Sequence, residues 1–221
     1  MTVAVLLADD QPWLRLGFRA VLDAQPDLEV VGEAGDGDEA AALVRELAPD
    51  VVLMDVRMPV LDGIEATRRI VASGSPSRVL VLTTFDLDEY VFAALRAGAS
   101  GFLLKDAEPA DLIAGIRAVA AGNAVVAPSV TKRLIETFTR QVPRPPADGR
   151  FGELTARERE VVVEVAGGRS NKEIADRLFV SETTIKVHVG RVLAKLGLRD
   201  RAQVIVFAYE NGVVTPGTAD A

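Results

Sequence analysis

Along the first 125 or so residues, short apolar runs rich in β-branched side chains alternate with longer stretches where apolar positions recur every three or four residues. The runs are Val3–Ala8, Leu28–Gly32, Val51–Met54, Val79–Leu82 and Gly101–Leu104. They are nearly continuous rather than alternating, which predicts strands buried on both faces. The intervening stretches predict helices near Leu14–Ala24, Asp38–Leu47, Ile64–Ala72, Leu87–Ala97 and Pro109–Ala121. Five strand–helix units in succession predict an α/β domain: a five-stranded parallel, doubly wound sheet with right-handed crossovers.

After this region the pattern changes. A further helix is expected near Ser129–Thr139, followed by Arg140–Arg150, whose prolines, arginines and glycine show no apolar period and predict an exposed linker. Four helical segments and no strand follow. Thr155 with Glu158, and Ser170 with Glu173, have the spacing of capping boxes. Ser181 followed by Glu182 opens a third helix, and the last runs from about Asp200 to Asn211 with Gly212 as its stop. The expected organisation is an α/β domain over 1–125, a helix and linker over 126–152, an all-α four-helix domain over 153–213, and a tail over 214–221.

Charge separates the two halves. Residues 1–140 carry 21 acidic and 13 basic side chains, whereas residues 141–221 carry 11 and 12. Five bases (Lys186, Arg191, Lys195, Arg199 and Arg201) crowd into Ser181–Arg201, so the two domains are expected to meet different partners. No apolar run approaches the ~20 residues of a membrane helix, and no membrane partner is expected. The opening MTVAVLLADD lacks a basic flank and reads as a buried strand rather than a secretion signal. With no cysteine, disulfides and thiolate metal sites are excluded, which suits a reducing cytoplasm.

In an open parallel sheet, functional groups gather beyond the carboxyl ends of the strands. Those ends hold Asp9 and Asp10, then Asp55, then Thr83 and Thr84, then Lys105. Three carboxylates brought together require a counter-ion. A hard, oxygen-liganded cation such as Mg²⁺, with Lys105 adding a further positive charge, would leave the crevice near neutrality and able to take a phosphoryl group.

The segments LLADD, LMDVRMPVLDG, VLTTFD and GASGFLLKD, in that order, resemble the receiver domains of two-component response regulators over about residues 2–122. The resemblance implies a flavodoxin-like fold with Asp55 as the nucleophile that takes phosphate from a sensor histidine kinase. It implies that Asp10, Asp55 and the backbone carbonyl of Arg57 hold Mg²⁺, that Asp9 assists through the metal's shell, and that Lys105 contacts phosphoryl oxygens. Thr83 lies 22 residues before Lys105, the family spacing, and becomes the switch hydroxyl in preference to Thr84, which strand alternation turns away. Phe102 takes the place of the aromatic switch residue. Many receivers carry a proline after the lysine, where this chain has Asp106.

In the C-terminal domain Ile174 and Leu178, then Ile185, Val189, Val192 and Leu196, form apolar stripes on two short helices joined at Phe179–Ser181. The second helix offers Thr183, Lys186, Val187, Gly190 and Arg191 on its other faces, a set suited to the major groove of double-stranded DNA. About Leu154–Asn211 resembles the LuxR-type helix-turn-helix domain of the NarL/FixJ subgroup. That implies a recognition helix over Ser181–Leu196 with Lys186 and Val187 near bases, and Thr183, His188, Arg191 and Lys195 on phosphates. Some relatives have a base-contacting lysine in place of Gly190. The expected protein is a regulator of transcription rather than an enzyme, dimeric when phosphorylated, with the last helix as the dimer contact. An aspartyl phosphatase reading fits less well, because Asp9–Asp10 and Asp55 are far apart in sequence and no substrate cap is evident. Trp13 is expected to pack at the start of its helix, and Arg199 and Arg201 to be solvated.

Overall fold

The computed structural model describes residues 2–83, 88–122, 125–126 and 149–214. The helix expected near Ser129–Thr139, nearly all of the linker, Thr84 and the tail beyond Val214 lie outside the described residues. The chain divides into two compact units, Met1–Ala127 and Pro128–Ala221.

In the first unit the strands are β1 (Val3–Ala8), β2 (Leu28–Ala34), β3 (Val51–Asp55), β4 (Arg78–Thr83), β5 (Gly101–Leu104) and the two-residue β6 (Val125–Val126). Between them run α1 (Pro12–Asp23), α2 (Gly37–Leu47), α3 (Gly63–Ala72), α4 (Asp88–Arg96) and α5 (Pro109–Ala120). All pairings are parallel, in the order β2-β1-β3-β4-β5-β6. The five expected strands are present. Strand β6, too short to register as an apolar run, extends the sheet beside β5.

Alternation along each strand divides the core. Val5, Leu7, Leu53, Leu80 and Leu82 meet Leu22 of α1 and Leu112, Ile116 and Val119 of α5 on one face. Leu6 turns the other way, towards Leu43 and Leu47 of α2 around Gly32. The fully buried ones, such as Val5, Leu6, Leu7, Leu53 and Leu80, contribute about 1.5–3 kcal/mol each. The chain leaves β1 for β2 on one side and returns to β3 on the other. This reversal opens a crevice at the carboxyl ends of β1 and β3.

The second unit begins with a 3₁₀ turn (Gly149–Glu153), then α6 (Ala156–Ala166), α7 (Asn171–Leu178), α8 (Glu182–Leu196) and α9 (Arg201–Glu210). Both expected capping boxes form, and Ser181 caps α8 by accepting from the Thr184 N–H. Helices α7 and α8 join through Phe179–Ser181, with Ile174, Ile185, Val192 and Leu196 in the core. Arg150 departs from the linker reading. Its guanidinium donates to the Leu196 carbonyl at 2.6 Å and lies 5.9 Å from the centre of the Phe207 ring. The folded domain therefore starts by Gly149, before the expected boundary at 153.

Two other expectations are corrected. Arg201 is half-buried and donates to the Asn171 amide oxygen and the Arg169 carbonyl, and burial lowers its pKa to about 10. Helix α9, expected to present a dimer surface, has Ala202 and Val204 to Tyr209 all buried, as befits a helix apolar on every side.

Glu158 ties this unit together. Its carboxylate is 3% exposed, accepts from the Thr155 N–H at 2.8 Å, and holds Lys195 Nζ at 2.7 Å. The hydrogen bond from Lys195 and that from Thr155 depress its pKa to about 2. A depressed carboxyl pKa stabilises the fold above the ordinary value near 4.5 and loses that contribution as pH falls through about 2. Glu158→Gln should therefore melt below the wild type at neutral pH, with the gap closing between about pH 4.5 and 2 in circular-dichroism melts.

Candidate functional site

Four strands deliver the polar groups to one edge. Asp9 follows β1 and is 3% exposed, Asp55 ends β3 at 6%, Thr83 ends β4 at 4%, and Lys105 follows β5. The Lys105 N–H donates to the Thr83 carbonyl at 2.7 Å, which extends the β4–β5 ladder to the site. Lys105 Nζ stands 2.7 Å from Asp9 Oδ2 and 2.9 Å from Asp55 Oδ2. Asp10 is exposed, yet one oxygen from each of Asp9, Asp10 and Asp55 lies within 4.8 Å of the others.

Charge and burial oppose each other here. Burial pushes the Asp55 carboxyl above the usual range and outweighs the hydrogen bond and charge of Lys105. Burial alone would lower the Lys105 pKa, but Asp9 and Asp55 together hold it above its ordinary value. Three carboxylates against one ammonium leave a negative remainder that suits a divalent cation, and hard oxygen donors are the right chemistry for one. The cluster of Asp9, Asp10 and Asp55 is consistent with a divalent metal site, and Arg57 stands two residues past Asp55, exposed, in the loop after β3.

Several residues that hold the site were not singled out in the sequence. Arg15 of α1 donates to the Asp9 carbonyl at 2.5 Å and pairs with Glu33 of β2 at 3.0 Å, while Arg19 grips the other Glu33 oxygen at 2.7 Å. The Gln11 N–H donates to Asp9 Oδ1 at 2.9 Å. Beneath Asp55 lies Gly63, whose N–H donates to the Val56 carbonyl at 2.9 Å. A Cβ on Gly63 would fall 1.8 Å from the Asp55 carbonyl oxygen. Gly37 clasps the same loop from α2: its N–H donates to the Leu61 carbonyl at 3.0 Å, and a Cβ there would lie 2.5 Å from that oxygen. Between the clasps, Val60 takes φ of +63° in a tight turn closed by the Leu61 N–H on the Pro59 carbonyl. A β-branched residue is strained in that conformation. The signal available in the sequence was a glycine directly after a helix-capping aspartate, as in Asp36-Gly37 and Asp62-Gly63.

Phe102 is fully buried in β5, paired in register with Val81 of β4, the strand that separates it from Asp55 on β3. Trp13 does not pack at its helix start as expected; it is 68% exposed.

In the second unit, α8 exposes Thr183, Lys186, Val187, Gly190 and Arg191. Lys186 forms an i,i+4 pair with Glu182 at 3.2 Å, a surface contact of little energetic weight. The space around Gly190 is open. Two residues of the expected set are placed differently. His188 is half-buried, with Nδ1 enclosed and lacking a hydrogen-bond partner. Lys195 points its ammonium inward to Glu158.

Two families match the chain: "Response regulator receiver domain" over residues 5–117 and "Bacterial regulatory proteins, luxR family" over residues 152–208. The transcriptional regulatory protein YxjL of Bacillus subtilis is 47% identical, with 96% of this chain and 97% of that protein aligned. The crystal structure of ChrA, a response regulator of a heme-sensing two-component system, is 35% identical with a TM-score of 0.54, covering 96% and 99% of the two chains. The response regulator RcsB in its DNA complex is 26% identical with a TM-score of 0.57, over 97% and 100%.

Gly63→Ala is expected to displace the strand end that carries Asp55. Overpacking against backbone rather than a yielding side chain should destabilise the first unit by about 1–3 kcal/mol or more. Circular-dichroism melts of the wild type and the variant measure the loss.

Proposed function

Because the chain belongs to the response-regulator family, with a receiver domain joined to a LuxR-type DNA-binding domain, we propose that Asp55 accepts a phosphoryl group from a sensor histidine kinase and that this transfer governs DNA binding. The observation that carries the reading is the bridging of Asp9 and Asp55 by one buried ammonium at the carboxyl edge of the sheet. In the transfer, a carboxylate oxygen of Asp55 attacks phosphorus, the bond from phosphorus to the donor's imidazole nitrogen breaks, and an acyl phosphate forms.

Lys105 lies where the added negative charge develops and gives its Asp55 contact over to a phosphoryl oxygen. Thr83 is the hydroxyl that turns towards the modified Asp55, and Phe102 moves into the space it leaves, a repacking of β4 and β5. Asp10, Asp55 and the Arg57 carbonyl would hold Mg²⁺, and Asp9 would assist them. When bound, Mg²⁺ supplies positive charge to the phosphoryl oxygens. Arg15 and Glu33 fix the Asp9 carbonyl, and thereby the turn that carries two of the acids.

On the DNA side, α8 enters the major groove of double-stranded DNA. Lys186 and Val187 lie nearest the bases, and Thr183 and Arg191 lie on phosphates. That RcsB was solved on DNA supports this placement. Phosphorylated chains pair to occupy two half-sites. The protein works in the cytoplasm as a regulator, and its chemistry is a single transfer to itself rather than turnover of an external substrate. Among the described residues no helix is long and apolar enough to cross a membrane.

The reading is tested by acetyl-phosphate and kinase labelling of the wild type and Asp55→Asn. The wild type should take up label and the variant none. Equal labelling of both would remove Asp55 from the reaction. Duplex affinity, measured with and without phosphorylation at several salt concentrations, should differ between the two states.

A further inference from the structure

Phe179 breaks two local rules at once. It closes α7 in the left-handed conformation, φ +55°, with its own N–H and that of Val180 both donating to the Ala175 carbonyl. Glycine or asparagine is the residue suited to that cap, and a bulky aromatic is strained there. Its side chain is also 94% exposed, the most exposed large apolar residue described. The neighbouring Leu178 carbonyl is already satisfied by Arg157 at 2.6 Å, so the turn keeps its shape without help from the ring. Nothing in the folding of the domain calls for phenylalanine here.

Position supplies a reason. Phe179 stands two residues before Ser181, the N-cap of α8, at the entry to the helix whose exposed side carries Thr183, Lys186, Val187 and Arg191. When the start of such a helix enters the major groove, the turn before it arrives beside the sugar–phosphate backbone. We propose that Phe179 packs its ring against a backbone deoxyribose of double-stranded DNA, as an apolar contact continuous with the DNA-reading face of α8. A phenyl ring has no hydrogen bond for a phosphate, so the sugar carbons are its chemical match. The inference rests on the assignment of α8 as the recognition helix.

The consequences differ from those of a basic residue. A sugar contact is blind to sequence, and it displaces no counterions. Phe179→Asn suits the left-handed backbone, so its melting temperature should equal or exceed that of the wild type. Its affinity should fall about tenfold. The loss should be the same for a random-sequence duplex and for a duplex selected by the protein from a random pool. The slope of log K against log salt should be unchanged. Phe179→Gly should behave alike, and Phe179→Tyr, which keeps the ring, should retain the affinity.

The measurement is fluorescence anisotropy on the full-length chain, with and without acetyl phosphate, alongside sedimentation. Failure of the wild type to bind either duplex would overturn the assignment of α8 itself. Wild-type binding with equal affinity in a folded Phe179→Asn would overturn the role of Phe179 alone. So would a variant that loses self-association but not DNA affinity, because the ring would then belong to a contact between copies.

Discussion

Two carboxyl groups brought together out of water at one sheet edge need a positive charge beside them, and in the first unit that is Lys105. It lies within 3 Å of both Asp9 and Asp55, and the burial of all three is mutually dependent. Every larger feature of the unit serves this contact. The strand order brings the ends of β1, β3 and β5 to one edge. Gly37 and Gly63 let two backbones approach closely enough to seat the loop after β3, and Arg15 with Glu33 holds the turn after β1. Asp10, outside the ion pair and exposed, completes the acidic set.

The second unit solves a different problem. Helix α8 must hold one end firmly and leave the other side free for a partner. Its carboxyl end is fixed by Arg150 on the Leu196 carbonyl and by Glu158 on Lys195. Ile185, Val192 and Leu196 bury the inner stripe. What remains outside is a polar and basic strip from Thr183 to Arg191. The anchoring pair also explains why Lys195, though basic and on the right helix, faces inward.

The apolar pattern made the fold legible: five buried strands and their helices stand where the runs and periods put them. Capping signals at Thr155, Ser170 and Ser181 placed the C-terminal helices equally well. Strand ends were less legible, because β3 and β4 finish on Asp55 and Thr83, polar residues that an apolar pattern leaves out. The site acids and Lys105 could still be read, since chemistry at a parallel sheet follows strand ends. Their supports could not. Arg15 and Glu33 are 18 residues apart and look like ordinary surface charges, and the need for Gly63 arises only when two backbones meet. Arg150, Arg201 and Lys195 were misjudged for a shared reason: a cation's partner, here a carbonyl, an amide oxygen or a buried glutamate, is set by tertiary packing.

The order of the site's residues along the chain has its own consequence. Asp9, Asp10 and Asp55 are synthesised fifty residues or more before Lys105, and a parallel sheet cannot bring β5 beside β4 until the intervening helix has crossed over. A nascent chain emerging from the ribosome therefore presents its acids before their cation. The acidic pocket is completed only when β5 is added, with α5 and β6 still to follow in the chain. A receiver cut short before its fifth strand would keep the acids with no lysine to hold them together.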